Sequence, residues 1–186
     1  QFYNRMKKII PLLIAVLFLS SCDQFNNEPK VIPVNNQYTL TVPSYLSENK
    51  SLNEEASLQY ANLFKELYVI VIDEVKTDFN IALTDNLLTD SYSPDIDGYA
   101  KLLLDNFALS IEDFSASSID KTIINSMNAR IATIEGSVEG IDVFYTLAAV
   151  EGKSNFYQIL TWTLGDKKDD HKDKMQGIVR SIQEIE

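Results

Sequence analysis

Two adjoining runs near the C-terminal end, Ile141–Glu151 and Asn155–Leu164, are apolar on both of the faces a strand presents. In the first, Ile141, Val143, Tyr145, Leu147 and Ala149 fall on one side and Phe144, Ala148 and Val150 on the other. In the second, Phe156, Leu160 and Trp162 oppose Tyr157 and Ile159. Strands of this kind need cover above and below, so the chain must place a layer on each side of its sheet. The links Val138-Glu139-Gly140-Ile141 and Glu151-Gly152-Lys153-Ser154 are hairpin-length and contain glycine, which predicts antiparallel neighbours.

Other segments supply the remaining strands and the cover. Residues 130–138, with Ile131 and Ile134, predict a third strand of the meander. Tyr38, Leu40 and Val42 alternate with Gln37, Thr39 and Thr41 and stop at Pro43, as a strand does. The β-branched run 68–72 predicts a buried central strand. Residues 95–110 predict a helix: Ser93-Pro94-Asp95 is a start signal, and Tyr99, Leu102, Leu103 and Phe107 form one stripe. A closing helix is expected over 170–185, with Met175, Ile178, Val179, Ile182 and Ile185 inward. Residues 52–66 allow two readings. Ser51 with Glu54 makes a capping-box pattern, and Ala56, Tyr60, Leu63, Phe64 and Leu67 fall at helical spacing. Leu58 and Tyr60 also alternate as in a strand, but pattern alone favours a helix there. The expected fold class is α+β, an antiparallel β-sheet sandwiched by helices.

The N-terminal segment reads as an export signal starting at Met6, with Gln1 and the next four residues upstream of it. Lys7 and Lys8 precede an apolar run over 9–19, far short of the roughly 20 residues that span a bilayer. Leu19, Ser20, Ser21 and Cys22 follow, and Cys22 is the single cysteine of the chain. This stretch resembles the lipobox of bacterial lipoproteins, which implies lipid attachment at Cys22 and cleavage before it. Lipidation would consume the only thiol, leaving no disulfide and no thiolate metal site. Removing residues 1–21 takes away Arg5, Lys7 and Lys8 and moves the net charge from −11 to about −14. A chain so acidic is not expected to bind nucleic acid. Residues 22–36, with Pro29, Pro33 and four asparagines, read as the lipidated cysteine and a flexible tether. Residues 37–186 then form one domain, large enough to bury about two-thirds of its unfolded surface.

The order of these elements is similar to the PsbP-like superfamily, which includes the extrinsic subunit of photosystem II, a Ran-binding nuclear import factor and many bacterial lipoproteins. The resemblance rests on the strand ending at Pro43, the hydrophobic strand, the helix carrying Tyr99 and Phe107, and the meander with Gly136 and Gly140. The final strand leads from there into a helix carrying Ile178 and Ile182. It implies an α/β/α sandwich and turns residues 57–74 from helix into a β-hairpin bending near 63–66. It also implies binding or adaptor work rather than catalysis.

Individual chemistries have little support in the sequence. His171 is the only histidine and lies in a charge run at a helix start, where a solvated position is expected. Asp95, Asp97 and Gly98 match part of a calcium loop. An EF-hand in that register would need ligands at Ser93 and Leu104, so helix capping explains the aspartates better. Asp73, Glu74 and Asp78 could act as an acid pair at a strand end. Tyr145, Tyr157 and Trp162 could line an aromatic groove, although two-faced strands make them core. No cofactor is expected. The favoured function is a membrane-tethered, non-enzymatic binding or adaptor domain of the bacterial cell envelope, held by lipid on Cys22 and acting on a protein partner. The alternative is a small-ligand or metal-binding lipoprotein, or a hydrolase using Asp73, Glu74 or Asp78. Asp23 leaves inner and outer membrane both open.

Overall fold

The computed structural model describes residues 28–185. The leader expected over 1–21, with Leu19, Ser20 and Ser21, and the lipid-attachment residue Cys22 lie outside the described residues.

Lys30–Val34 (β1) pairs antiparallel with Tyr38–Val42 (β2), and the chain reverses between them at Asn35 and Asn36. Both asparagines have positive φ, a conformation their short polar side chains tolerate, and the Gln37 amide donates to the Val34 carbonyl at 2.9 Å. The tether expected over 22–36 is corrected here. Its later part is a strand with Ile32 half-buried and Val34 buried, and the asparagines that looked like linker are a turn. On the other side of β2 lies a two-residue strand, Gln183–Glu184 (β11), which completes a small three-stranded sheet.

The larger sheet is built from Ser47–Glu48 (β3), Leu58–Asn62 (β4), Leu67–Val75 (β5), Glu112–Ala116 (β6), Asp120–Ile124 (β7), Met127–Val138 (β8), Ile141–Glu151 (β9) and Asn155–Leu164 (β10). Its order is β3-β4-β5-β10-β9-β8-β6, with β7 also paired to β8. Every pairing is antiparallel. The two runs read as two-faced strands are the central β9 and β10. Three helices cover the sheet: Lys76–Asp85 (α1), Ile96–Ser110 (α2) and Lys168–Val179 (α3).

Each face of the large sheet has its own core. On one side Phe144, Ala148, Val150, Tyr157 and Ile159 pack against Tyr38, Leu40 and Val42 of the small sheet. Met175, Ile178 and Val179 of α3 join them. On the other, Phe156, Ala149, Leu147 and Leu160 lie beneath α1 and α2. There Phe156 stacks on Tyr99 with ring centroids 4.7 Å apart, and Phe79 of α1 meets both edge-on. The α/β/α layering is thus present, with the small sheet sharing one outer layer with α3.

Two sequence expectations are overturned. Residues 52–66 hold no helix: 58–62 is β4, 63–66 is a turn, and the chain returns as β5. The helical spacing was coincidental, because Leu63 and Phe64 face solvent rather than a core. The hairpin implied by the family resemblance is the observed structure. The closing helix stops at Val179 instead of 185, because the chain turns through Arg180 and Ser181 so that Ile182 can be buried and β11 can pair with β2. Elements α1, β6 and β7 were not anticipated.

Candidate functional site

The antiparallel meander brings strand ends that are remote in sequence to one edge of the sheet. There the turn at Asn125 and Ser126 between β7 and β8 meets Gly152 and Lys153 between β9 and β10. The start of α1 at Lys76 and the short strand β11, Gln183 and Glu184, close the group. Together with Met127, Asn128 and Glu151 they enclose a cleft of about 640 Å³. Asn125 and Ser126 both adopt positive φ, and Asn125 Nδ2 donates to the Ile182 carbonyl at 2.7 Å, tying the turn to the C-terminal segment.

Both carboxylates of the cleft are engaged. Glu151 accepts from Lys76 Nζ at 3.1 Å and from Asn128 Nδ2 at 3.0 Å. The Asn128 hydrogen bond, then the lysine, hold its carboxyl below the usual glutamate range. Glu184 accepts from the Lys153 amide through both oxygens, at 3.0 and 3.1 Å, and from the Tyr157 hydroxyl at 3.1 Å. Burial, reinforced by Glu184, raises the Tyr157 phenol well above its ordinary value, so it serves as a donor. A Cβ on Gly152 would collide with Glu184 Oε1 and lie 2.6 Å from the Tyr157 ring, so only glycine lets this corner close. The cleft has a largely polar lining and opens to water.

The residues singled out in the sequence lie elsewhere. Asp73 and Glu74 are neighbours on β5, opposite Tyr157 and Phe156 respectively, so their side chains leave on opposite faces of the sheet. Asp78 lies in the first turn of α1 and acts on Glu74. Burial and then the Asp78, Glu55 and Asp73 charges raise the Glu74 carboxyl above the usual range. None of the three lines the cleft. Asp95 is the N-cap of α2, with Oδ1 accepting from the Asp97 and Gly98 amides at 3.0 and 2.9 Å. Asp97 accepts from Arg130 at 2.7 and 3.2 Å and pairs with Lys121 at 2.9 Å. The capping explanation for this pair accounts for Asp95, while Asp97 joins α2 to β7 and β8. Among the described residues no group of three His, Cys, Asp or Glu side chains could hold a metal ion.

Tyr145 and Trp162 share one face of the sheet, where Trp162 stacks on Tyr68 with centroids 5.1 Å apart, while Tyr157 belongs to the core of the other face. The three do not form one groove. His171 is corrected most sharply: it is 6% exposed, not solvated, because α3 turns it inward against the β4–β5 turn. The cleft itself was missed, since its parts come from segments far apart in the chain, each ordinary taken alone.

No family model matches the sequence, and no curated protein matches it significantly. Solved structures do resemble the fold. Cyanobacterial PsbP (CyanoP) from Synechocystis sp. PCC 6803 superposes with a TM-score of 0.53 at 9% identity, covering 89% of this chain and 98% of that one. LpqN of Mycobacterium tuberculosis, involved in cell envelope biogenesis, gives 0.53 at 12% identity over 88% of each chain. The Ran-binding protein Mog1p of Saccharomyces cerevisiae gives 0.51 at 11% identity, covering 86% of this chain and 96% of that one. At such identities the likeness speaks to architecture, and it agrees with the resemblance read from the order of elements: the chain has the PsbP-like fold.

Proposed function

We propose that this chain is a lipoprotein of the bacterial cell envelope, anchored through lipid on Cys22, whose domain is a non-enzymatic binding or adaptor module for a protein partner. The observation that carries the binding reading is the state of the cleft. Glu151 and Glu184 are both occupied as acceptors of fixed donors, so the cleft presents shape and polar groups rather than a free base. An open polar cleft of this kind fits a polar loop or peptide segment of a partner better than an apolar ligand. The solved structures of similar fold support the reading: one is a Ran-binding protein, and another is involved in cell envelope biogenesis. The order of Leu19, Ser20, Ser21 and Cys22 after an apolar run supports the anchor. No described helix is long and apolar enough to cross a membrane.

Crosslinking in intact envelopes tests the binding reading. The wild-type chain should enrich one protein in near-equal amount. Glu151→Lys, and Lys153→Glu as an exposed change that keeps the backbone donor, should each lose it. Enrichment of no protein, or of one indifferent to both changes, overturns it. For the anchor, Cys22→Ala should leave the chain unprocessed or released from membranes. A mature, membrane-bound Cys22→Ala chain overturns that part.

The volume of the cleft, about 640 Å³, lies within the range of small-molecule sites and favours a polar small ligand as the second reading.

A further inference from the structure

At the opposite end of the large sheet, the turn between β4 and β5 carries Leu63 and Phe64 into solvent, 65% and 101% exposed. Exposed apolar side chains on loose loops are common and mean little. This turn is not loose. Asn62 Oδ1 accepts from the Phe64 and Lys65 amides at 3.1 and 2.9 Å, fixing the turn from within. Asn62 Nδ2 donates to the Tyr45 carbonyl at 2.8 Å, fixing it to the segment between β2 and β3. His171 Nε2 donates to the Lys65 carbonyl at 2.7 Å, fixing it to α3. A buried histidine and a doubly used asparagine thus hold an apolar pair away from any core. Lys65 folds its ammonium over the Tyr45 ring, 5.2 Å from the centroid, and places a cation and an aromatic ring at the base of the protrusion.

The place where the preceding chain joins the domain is at this same end. Lys30, the first residue of β1, sits opposite Val42, and its Nζ donates to the Leu46 carbonyl at 3.1 Å. Leu46 adjoins Tyr45, which Asn62 holds, so a short series of hydrogen bonds links the start of β1 to the protruding turn. Since β1 begins at Lys30, the segment back to Cys22 reaches at most about 28 Å even when fully extended. The β8–β9 turn, flanked by exposed Ile141 and Val138, is at this end of the sheet as well. The cleft of Glu151 and Glu184 is at the other end of β5, about 27 Å away along the strand.

We propose that the Leu63-Phe64-Lys65 turn inserts its apolar pair into the surface of the bilayer that holds the anchor, so that the domain stands on the membrane with its polar cleft turned away. The inference rests on the lipid anchor proposed above. A protrusion of two apolar side chains binds a free bilayer feebly, but a tether this short keeps it at high local concentration beside the membrane. The anchor supplies attachment and the turn supplies orientation.

The test replaces Phe64 by tryptophan, a change at a fully exposed position that should leave folding untouched. The mature chain from Cys22, which contains every described residue, is joined through its own thiol to maleimide-bearing phosphatidylcholine vesicles containing brominated lipid. A neutral lipid avoids repulsion from an acidic chain. Phe64→Trp should be quenched about twofold more than the wild type, whose single tryptophan is Trp162, and adding Leu63→Asp should abolish the difference. Equal quenching of Phe64→Trp and wild type overturns the proposal. Blue-shifted but unquenched emission from the Phe64→Trp variant, accompanied by dimers that cover the turn with a second copy, overturns it too. Because the tether is chemical, failure here is separate from failure of natural lipidation, which the Cys22→Ala fractionation reads on its own.

Discussion

His171 Nε2 lies 2.7 Å from the carbonyl oxygen of Lys65, a bond between α3 and a turn 106 residues earlier in the chain. The carbonyl can only accept, so Nε2 carries the proton, and Nδ1 is left buried without a partner. The only histidine of the protein is thus a strut between two layers. His171→Ala should lower stability by about 1–3 kcal/mol, since it removes a buried side chain together with its bond to the Lys65 carbonyl. Urea denaturation gives the loss. Hydrogen exchange should show the amides of Phe64 and Lys65 opening faster than those of central β10. Unchanged exchange at the turn would show that Asn62 alone holds it.

Asp97 joins α2 to Arg130 and Lys121, and the Arg130 hydrogen bond, followed by Lys121, holds its carboxyl well below the usual aspartate range. The folded value lies below the unfolded one near 3.9, so the stabilisation is full above about pH 4 and is lost as pH falls through the folded value. The Asp97 side chain is 45% exposed, so solvent screens the pair and Asp97→Asn should cost about 1 kcal/mol or less at pH 7. Denaturation from pH 7 to pH 3 should show the gap between variant and wild type closing only at the acid end. A gap that is constant with pH would mean that the ion pair is not its source.

How far the sequence reached depends on whether a residue's role was local. Strands β9 and β10 were legible to their ends, because Tyr145, Leu147, Tyr157 and Leu160 need opposite faces covered whatever the rest of the chain does. Asp95 was legible as a cap, because capping involves only the amides two and three residues further on. Helix α1 was not, since only Phe79 and Leu83 are buried and two positions make a weak stripe. The 58–75 hairpin misled because Leu63 and Phe64 completed a helical spacing while serving the surface. Only the order of elements along the whole chain corrected that. The cleft and the His171–Lys65 bond depend on tertiary proximity between distant segments, which no spacing rule encodes.

Glu74 behaves oppositely to Asp97. Burial, then the charges of Asp78, Glu55 and Asp73, raise its carboxyl above the ordinary glutamate value. Below the unfolded value near 4.3 both states hold the proton and nothing is lost. As pH rises past it, the folded protein must accept an unwelcome charge, so Glu74 destabilises the fold at neutral pH. Glu74→Gln should therefore be more stable than wild type at pH 7 and equal to it near pH 3, by thermal or chemical denaturation. A variant less stable at pH 7 would show that the carboxylate has a favourable partner that outweighs its burial and the repulsion of Asp78.

Two helical glycines separate packing from propensity. A Cβ on Gly98, in the first turn of α2, would collide with the Ser93 carbonyl oxygen and stand 2.5 Å from the Ser93 nitrogen. Both are backbone atoms, and the Ser93 hydroxyl donates to the same Asp95 that caps the helix, so they cannot swing aside as a side chain would. Gly98→Ala should cost about 1–3 kcal/mol, as overpacking does. It should also weaken the Asp97–Arg130 pairing, because the turn bearing Asp97 has to shift. Gly177, inside α3, meets nothing within 4 Å of such a Cβ. Gly177→Ala should raise stability by about 0.5–1 kcal/mol, through helix propensity and a less mobile unfolded chain. Parallel urea titrations of the two variants decide the matter, with opposite shifts in midpoint expected. If both variants lost stability, the helix-propensity account of Gly177 would be wrong.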